Sequence, residues 1–341
     1  MTSAIAPEVG VIIANHNNRE YVADAMVSVA RQSVRNIRIV VVDDSSTDDS
    51  DRIIREALCR LDDPRFEYVR LEHNVGQAGA LRRGLQALRT PFVSFLDSDD
   101  FWYENFVARH LTVHLNADYP VALTYSDSHI VDAETRILAG TAWWFDVAQS
   151  NGSPRAIEQA LIPEIDPETG CLAYNLNKTP TLYPNWSAEW SSNSMAAMMF
   201  RRDFVDLVLV PPNESLRLYV DFYLSTFATL FTGAIAIPEA LYAYRMHGRN
   251  KHSNGSVLGG SYNSSKRRWE PIRDGILRLI LQVLQRDSEE LRIAFGDFRC
   301  DQALVQLRTA LKGSMAQPKG RSRLQELLFG GRDLDIVDDK F

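Results

Sequence analysis

The chain has 341 residues, of which 45% are hydrophobic and 24% are charged, and its formal net charge is −7. This composition is typical of a globular protein with a buried core, and the length suffices for one large domain with appendages or for two domains. The acidic balance argues against broad, non-specific binding of nucleic acid, which needs a basic face.

The cysteines and the first residues indicate where the protein works. Cys59, Cys171 and Cys300 lie far apart, so they form neither a disulfide framework nor a metal-ligand motif. A reducing cytoplasm is the simplest setting for such a chain. Residues 1–10 contain no basic segment followed by an apolar stretch, so we expect no signal peptide.

Residues 222–237 form an uncharged, largely apolar segment. It is shorter than the roughly 20 residues that a membrane-spanning helix needs. We interpret it as a buried helix that turns at Gly233 into a buried strand. The protein is therefore expected in the cytoplasm or associated with the inner face of the membrane.

The first 130 residues alternate strand and helix patterns. Continuous apolar runs are typical of strands buried on both faces, and apolar residues three and four apart are typical of helices. Predicted strands cover residues 9–14, 37–42, 66–71, 92–96 and 121–125, with a hairpin partner at 130–138, and predicted helices include 21–32, 78–88 and 101–115. This order predicts an α/β fold: a mostly parallel sheet with helices on both faces.

The rest of the chain is less regular. Residues 143–192 are rich in proline and aromatic residues and show little periodicity, so we expect long loops with short helices, which are often functional. A strand is predicted at 194–200, a helix at 218–231 and a strand at 234–245. From residue 269 to 328 the pattern is helical.

Polar residues follow several predicted strands, where an α/β sheet binds its ligands. Asp97 and Asp99 come directly after the strand at 92–96. Two adjacent carboxylates repel each other, and Mg²⁺ or Mn²⁺ shared with a diphosphate removes that repulsion. The alternative is a solvated loop in which Asp99 or Asp100 caps the helix predicted at 101–115.

Six segments, taken in order, resemble the inverting family 2 glycosyltransferases of the GT-A fold. They are Val11-Ile12-Ile13-Ala14-Asn15-His16-Asn17, Val40-Val41-Val42-Asp43-Asp44-Ser45-Ser46-Thr47-Asp48, Asn74-Val75-Gly76, Phe95-Leu96-Asp97-Ser98-Asp99-Asp100, Val220-Asp221 and Tyr244-Arg245-Met246-His247. The resemblance implies a GT-A domain over residues 1–250, with a donor-binding half at 8–130 and an acceptor-side half at 131–250. A helical C-terminal region covers 266–330.

The resemblance also implies roles for individual residues. Ala14 and His16 line the base pocket and Asp44 hydrogen-bonds the base, while Asp97 lies near the ribose. Asp99 holds the metal on the diphosphate, and His247 belongs to a segment that in some members reaches the metal or phosphates. Asp221 falls at the position of the catalytic base.

The chain departs from the family pattern at several positions. Val220 stands where an acid usually precedes the catalytic base, and the helix after Gly76 carries Ala80-Leu81-Arg82 instead of Ala-Arg-Asn. Either Arg82 or Arg83 therefore contacts a phosphate, or both face solvent. His16 has an ordinary loop role as its alternative, and His247 has a structural one.

The predicted reaction is metal-dependent, inverting transfer of a hexosyl group from a nucleotide-sugar, by default a UDP-sugar, to an acceptor hydroxyl. The expected setting is bacterial polysaccharide or glycoconjugate synthesis, with a glycan, lipid-linked or protein-linked acceptor. Trp186 and Trp190 are candidates for acceptor binding, with core packing as the alternative.

Two other functions remain open at this point: a nucleotidyltransferase of similar fold and a non-catalytic nucleotide- or carbohydrate-binding protein. The first usually needs a glycine-rich, basic loop after the first strand, and residues 14–20 contain neither Gly nor Lys. A dinucleotide-dependent dehydrogenase is disfavoured because no G-x-G-x-x-G motif follows that strand.

Overall fold

The computed structural model describes residues 6–140, 164–165, 172–173, 179–186, 194–210, 216–250 and 266–316. The strands are β1 Val9–Asn15, β2 Ile37–Asp43, β3 Phe66–Arg70, β4 Phe92–Asp97, β5 Phe101–Trp102, β6 Leu123–Asp132, β7 Ile137–Ala139, β8 Glu164–Ile165, β9 Leu172–Ala173, β10 Thr181–Tyr183, β11 Met198–Arg201 and β12 Ala234–Met246. The helices are α1 Val22–Ala30, α2 Ser50–Leu61, α3 Gly76–Ala87, α4 Phe106–Asn116, α5 Arg202–Val208, α6 Val220–Phe231, α7 Lys266–Arg286, α8 Ser288–Phe295 and α9 Asp297–Ala316.

One large sheet organises the chain in the order β10-β12-β6-β11-β4-β1-β2-β3, with β5 paired to β12 and β7 to β6. The pairs β3–β2, β2–β1, β1–β4 and β6–β12 are parallel, whereas β11 runs antiparallel to both β4 and β6. The predicted mostly parallel α/β sheet is confirmed. Its parallel strands direct their carboxyl ends to one edge.

Each face of the sheet carries its own apolar core. Alternation along β1 sends Val11 and Ile13 to the face covered by α1, α2 and α4, and Ile12 to the face covered by α3, α5 and α6. Helices α7 and α9 pack onto α6 and extend the second core. The C-terminal helices therefore support α6, the helix that carries Asp221.

The apolar segment at 222–237 folds as expected. Helix α6 ends at Phe231, Gly233 adopts a φ of +71°, and β12 begins at Ala234. A Cβ at Gly233 would lie 2.5 Å from the carbonyl oxygen of Tyr183, so this turn requires glycine. In the described ranges, no helix is both long and apolar enough to cross a membrane.

Several predicted elements have different bounds in the structure. The helix predicted at 101–115 begins only at Phe106, because Phe101 and Trp102 pair with Ala243 and Tyr242 of β12. Asp99 and Asp100 therefore cap no helix there, and that alternative is wrong. The strand predicted at 121–125 continues to Asp132, since β12 offers it a parallel partner along most of its length.

Candidate active site

Strands β1, β2 and β4 lie side by side and end together. Ala14 near the end of β1 is level with Val42 of β2 and with Asp97 of β4. The following loops, which carry His16, Asp44 and Asp99, therefore leave the sheet at the same edge. The structure brings together the predicted donor residues of three separate segments.

Side chains fasten these loops to one another. The Nδ2 group of Asn15 donates to Asp43 Oδ1 at 2.9 Å and to Ser46 Oγ at 3.1 Å, with Asn15 and Asp43 almost fully buried. Asn18 Nδ2 donates to Ser98 Oγ at 3.0 Å and joins the first loop to the one after β4. The backbone at this edge is thus held in place by protein groups.

Asp44 is 4% exposed and binds the first turn of α3. Its Oδ1 accepts the Val75 amide at 2.8 Å, and its Oδ2 accepts the Gly76 amide at 2.9 Å. The next amide, that of Gln77, donates to the carbonyl oxygen of Arg217 at 3.0 Å. Free amides at the start of a helix would attract an anion, but these three already donate hydrogen bonds to protein oxygens. Asp44 can therefore accept a hydrogen bond from a nucleobase only through its remaining lone pairs.

His16 lies next to Asp44 with an exposed ring. Its Nδ1 is 2.8 Å from the Asp44 carbonyl oxygen, which can only accept, so the network assigns the proton to Nδ1. The Nε2 atom then accepts from Asn17 Nδ2 at 3.2 Å or from Asn74 Nδ2 at 3.3 Å. The exposed ring is available for contact with a planar base, and the role of His16 in a base pocket stays a prediction.

The predicted metal residues also meet. His247 Nε2 lies 3.1 Å from Asp99 Oδ2, and Asp97 Oδ1 accepts from Gln77 Nε2 at 3.2 Å. His247 Nδ1 accepts the Arg249 amide at 3.3 Å, which places the ring proton on Nε2, facing Asp99. Within the described ranges no group of three or more His, Cys, Asp or Glu side chains is arranged to hold a metal ion.

Asp100 and Arg245, both 2% exposed, are site residues to which sequence reasoning gave no such role. Asp100 Oδ1 accepts the Arg245 amide at 2.9 Å, and Arg245 Nε donates to the Asp99 carbonyl oxygen at 2.9 Å. Burial, with the charges of Asp99 and Asp97, raises the pKa of Asp100 well above its usual value. The sequence signal for Arg245 was a charged residue inside a largely apolar strand, since a buried charge needs partners.

Asp221 lies in the first turn of α6 and is half-buried. Burial raises the pKa of its carboxyl group to about 6, although the amides of Phe222 and of Asp221 itself favour the charged form. The Phe222 amide donates to Asp221 Oδ1 at 2.8 Å. A carboxylate with a pKa near neutrality is suited to general-base catalysis.

Arg82 contacts the end of α5. Its Nη1 donates to the Leu209 carbonyl oxygen at 3.1 Å, at the end of α5. This contact ties α3 to α5 and gives no support to a contact between Arg82 and a phosphate. The neighbouring Arg83 is exposed.

Trp186 is 7% exposed and belongs to the apolar core on the α3 side of the sheet. Its Nε1 group is buried and has no hydrogen-bond partner in the described part of the chain. This burial favours the packing alternative for Trp186 over acceptor binding. Trp190 lies outside the described residues.

The model of the family described as Glycosyl transferase family 2 matches residues 10–167, which include β1, β2, β4 and their loops. The matched segment is a family 2 glycosyltransferase domain. The segments that carried the resemblance in the donor half are the same segments that meet at the carboxyl edge of the sheet.

Curated relatives of this chain come from several bacteria. An uncharacterized glycosyltransferase of a Nostoc strain is 27% identical over 72% of this chain and 66% of its own length. The UDP-Glc:alpha-D-GlcNAc-diphosphoundecaprenol beta-1,3-glucosyltransferase WfaP of Escherichia coli is 31% identical over 36% of this chain and 46% of its own length. The putative teichuronic acid biosynthesis glycosyltransferase TuaG of Bacillus subtilis is 36% identical over 31% and 41%. The chain thus spans less than two thirds of these relatives.

Solved structures extend the fold comparison over nearly the whole chain. S. aureus TarS, residues 1–349, in complex with UDP-GlcNAc superposes with a TM-score of 0.53 at 17% identity, covering 94% of this chain and 76% of that one. A second crystal structure of TarS residues 1–349 gives a TM-score of 0.51. At this identity the likeness shows the fold, a GT-A arrangement with added C-terminal helices.

We predict that Trp186→Ala lowers the free energy of unfolding by about 3–5 kcal/mol, because a large buried side chain is removed from the core. Trp186→Phe should cost less, since it keeps most of the packing and removes the unpaired indole N–H. Denaturant unfolding of both variants measures this. A Trp186→Ala protein as stable as the wild type would show that the indole is not a packing residue.

We predict a pH-dependent stability gain for Asp221→Asn. Below about pH 4 both folded and unfolded chains carry a neutral Asp221, so variant and wild type should be equally stable. Between pH 4 and 6 the unfolded wild type ionises before the folded one, so the wild type loses stability relative to the variant. Above pH 6 the variant should be more stable by about 1–3 kcal/mol.

The matched control for that measurement is Asp203→Asn. Asp203 also lies in the first turn of a helix and accepts the next amide, that of Phe204, at 2.8 Å, but it is exposed. It should show no such gain, and melting curves from pH 3.5 to 8 compare the two. A less stable Asp221→Asn variant at pH 8 would mean that the wild-type carboxylate is favourably paired and its pKa is not raised.

Proposed function

We propose that this family 2 glycosyltransferase transfers a sugar, with inversion, from a nucleoside diphosphate sugar to an acceptor hydroxyl in bacterial glycan synthesis. The observation that carries the proposal is the convergence of His16, Asp44, Asp97 and Asp99 at one sheet edge. Asp221, with its raised pKa, follows a segment that contacts the same edge. Together they supply a donor site and a base.

A uridine nucleotide is the donor we propose. The E. coli relative is named as a UDP-Glc transferase, and the TarS structure of similar fold is a complex with UDP-GlcNAc. In this chain the exposed His16 ring would lie against the base, and the lone pairs left on Asp44 would accept from a base N–H group. Asp97, at the end of β4, is the candidate ribose contact.

Asp221 is proposed to accept the proton of the acceptor hydroxyl while that oxygen attacks the anomeric carbon. The bond from the anomeric carbon to the diphosphate breaks as the new bond forms, so the configuration inverts and no sugar–enzyme intermediate arises. The raised pKa serves this step, because a base with a pKa near the working pH transfers protons effectively and is still largely ionised at pH 7.

A divalent cation, Mg²⁺ or Mn²⁺, fits the oxygen donors present. Asp99 would hold it, with Asp97 beside it, and diphosphate oxygens and water would complete its coordination, as is usual for Mg²⁺. Such a cation neutralises charge on the departing diphosphate. His247 could join as a ligand only after its proton moves from Nε2 to Nδ1, which would break the contact with the Arg249 amide.

The acceptor is proposed to be a glycan or lipid-linked glycan, since the E. coli relative is named for a diphosphoundecaprenol substrate and the Bacillus relative for teichuronic acid biosynthesis. The aromatic segment at 143–192 is the proposed acceptor side, with Trp190 as its candidate contact. A lipid-linked acceptor would bring the protein to the membrane surface without a spanning helix.

We predict that Asp221→Asn lowers turnover by roughly 10²–10⁴, the usual contribution of a general base, while UDP affinity stays near the wild-type value. Wild-type kcat should rise with pH through about 6, because only the ionised carboxylate accepts a proton. Steady-state kinetics with UDP-sugars and lipid-linked acceptors measure both effects. Asp203→Asn serves as the control and should keep its turnover, whereas an Asp221→Asn enzyme with most of its rate would place the base elsewhere.

We predict that UDP binds at least tenfold more weakly in EDTA than with Mn²⁺, and that Asp99→Ala removes this difference. Isothermal titration calorimetry of UDP under both conditions provides the measurement and requires no turnover. The exposed Asp118→Ala variant is the control and should keep the metal dependence. Equal UDP affinity with and without metal in the wild type would refute the assignment of Asp99.

A further inference from the structure

Arg217 lies four residues before Asp221 and contacts the start of α3 in two ways. Its carbonyl oxygen accepts the Gln77 amide at 3.0 Å, and its guanidinium donates to Asn74 Oδ1. The segment that leads into the catalytic helix α6 is therefore attached to the helix on which the nucleotide side of the site is built.

This contact is tight as well as polar. Gly76 has a φ of +76°, and a Cβ added there would lie 2.6 Å from Arg217 Cγ and 3.0 Å from its carbonyl oxygen. Any side chain at Gly76 would push the two segments apart. The glycine thus serves both the backbone conformation at the start of α3 and the close approach of Arg217.

Arg217 also sets the orientation of Asn74. Because the guanidinium occupies Oδ1, the Nδ2 group of Asn74 faces the opposite side, where it lies 3.3 Å from the Asp44 carbonyl oxygen and 3.3 Å from His16 Nε2. Gln77, whose amide donates to Arg217, also donates through Nε2 to Asp97. Arg217 is thus linked through Asn74 to His16, the proposed base contact, and through Gln77 to Asp97, the proposed ribose contact.

On its other side, Arg217 leads directly to Asp221. Tyr219 adopts a φ of +65°, a left-handed conformation that is unusual for a bulky residue and persists only where neighbours impose it. Val220, the next residue, is fully buried in the core under α6. With α3 holding Arg217 and the core holding Val220, the path to Asp221 has little freedom.

We propose that Arg217 is a positioning residue that couples occupation of the nucleotide site to the placement of Asp221. A bound nucleotide orders His16 and Asn74, the guanidinium transmits that order to residues 217–220, and the first turn of α6 becomes more rigid. The proposal rests on the proposed function, in which Asp221 is the base, and it assigns to Arg217 no contact with the reacting atoms.

Hydrogen exchange detected by mass spectrometry tests the coupling without turnover. Saturating UDP with Mn²⁺ should slow amide exchange in a peptide covering residues 216–231 of the wild type. In Arg217→Ala, UDP should bind about tenfold more weakly, and at saturation the protection of this peptide should fall by more than half. Arg217→Lys should restore part of it, and the exposed Arg308→Ala should behave as wild type.

Kinetics provide the second measurement. The kcat of Arg217→Ala should fall about tenfold at saturating donor, and the acidic limb of its kcat profile should move below pH 6, because a looser first turn lets water reach Asp221. Asn74→Ala should cause much of the same loss of protection. The Arg217→Ala/Asn74→Ala double variant should lose little more, since both substitutions remove the same Arg217–Asn74 hydrogen bond.

Equal UDP-dependent protection in Arg217→Ala and wild type at saturation, with an unshifted acidic limb, would overturn the proposal. If Arg217→Ala then only weakened UDP binding, Arg217 would support the base pocket without coupling it to Asp221. A wild type that shows the Arg217-dependent protection but transfers no sugar to any acceptor would contradict the proposed function and leave the coupling supported. The two failures are therefore distinguishable.

Discussion

The hydrogen bonds accepted by the Asp44 carboxylate are the interaction on which the geometry of the proposed donor site depends. Four amides at the start of a helix lack partners within the helix, and a negative charge there is favourable. Asp44, at the end of β2, satisfies two of them at the start of α3. The same residue offers its carbonyl oxygen to His16 and Asn74. One residue, through its carboxylate and its backbone carbonyl, thus links a helix, a loop and the proposed base pocket.

A second buried group joins the donor side to the far half of the sheet. Arg245 donates to the carbonyl oxygens of Asp99 and Ala133 and lies with its guanidinium carbon 4.7 Å from the centre of the Tyr21 ring. A buried guanidinium is tolerated because nearly all of its donors have partners. The loop that carries Asp97 and Asp99 is therefore held by β12 rather than by its own strand alone. The position of this loop therefore depends on β12, in the second half of the chain.

Asp221, the proposed base, shows the opposite balance, because its burial lowers the stability of the folded protein at neutral pH. Its burial disfavours the charged form, so the folded protein at neutral pH holds a carboxylate that would be better hydrated in the unfolded chain. Helix α6, which carries Asp221, lies in an apolar core to which α7 and α9 also contribute.

The sequence by itself determined the α/β class, the order of the elements in the first 130 residues and the segments that meet at the sheet edge. These are local properties: buried parallel strands are continuous apolar runs, and their polar loops follow in sequence. The positions of Asp44, Asp97 and Asp99 at one edge of the sheet could be predicted for that reason, whereas His247 was predicted only from the family resemblance. The helix-to-strand turn at Gly233 could likewise be predicted from the composition and length of the segment 222–237.

Tertiary structure decided what depends on residues far apart in sequence. Phe101 and Trp102 became a strand instead of a helix start because β12, about 140 residues later, supplies their partners. Arg82 was drawn to Leu209, Trp186 into the core, and Arg217 against Gly76, by neighbours that no periodicity reveals. A side chain's direction is set by the packing of several elements at once, and for that reason the sequence identified the site's segments but not all of its contacts.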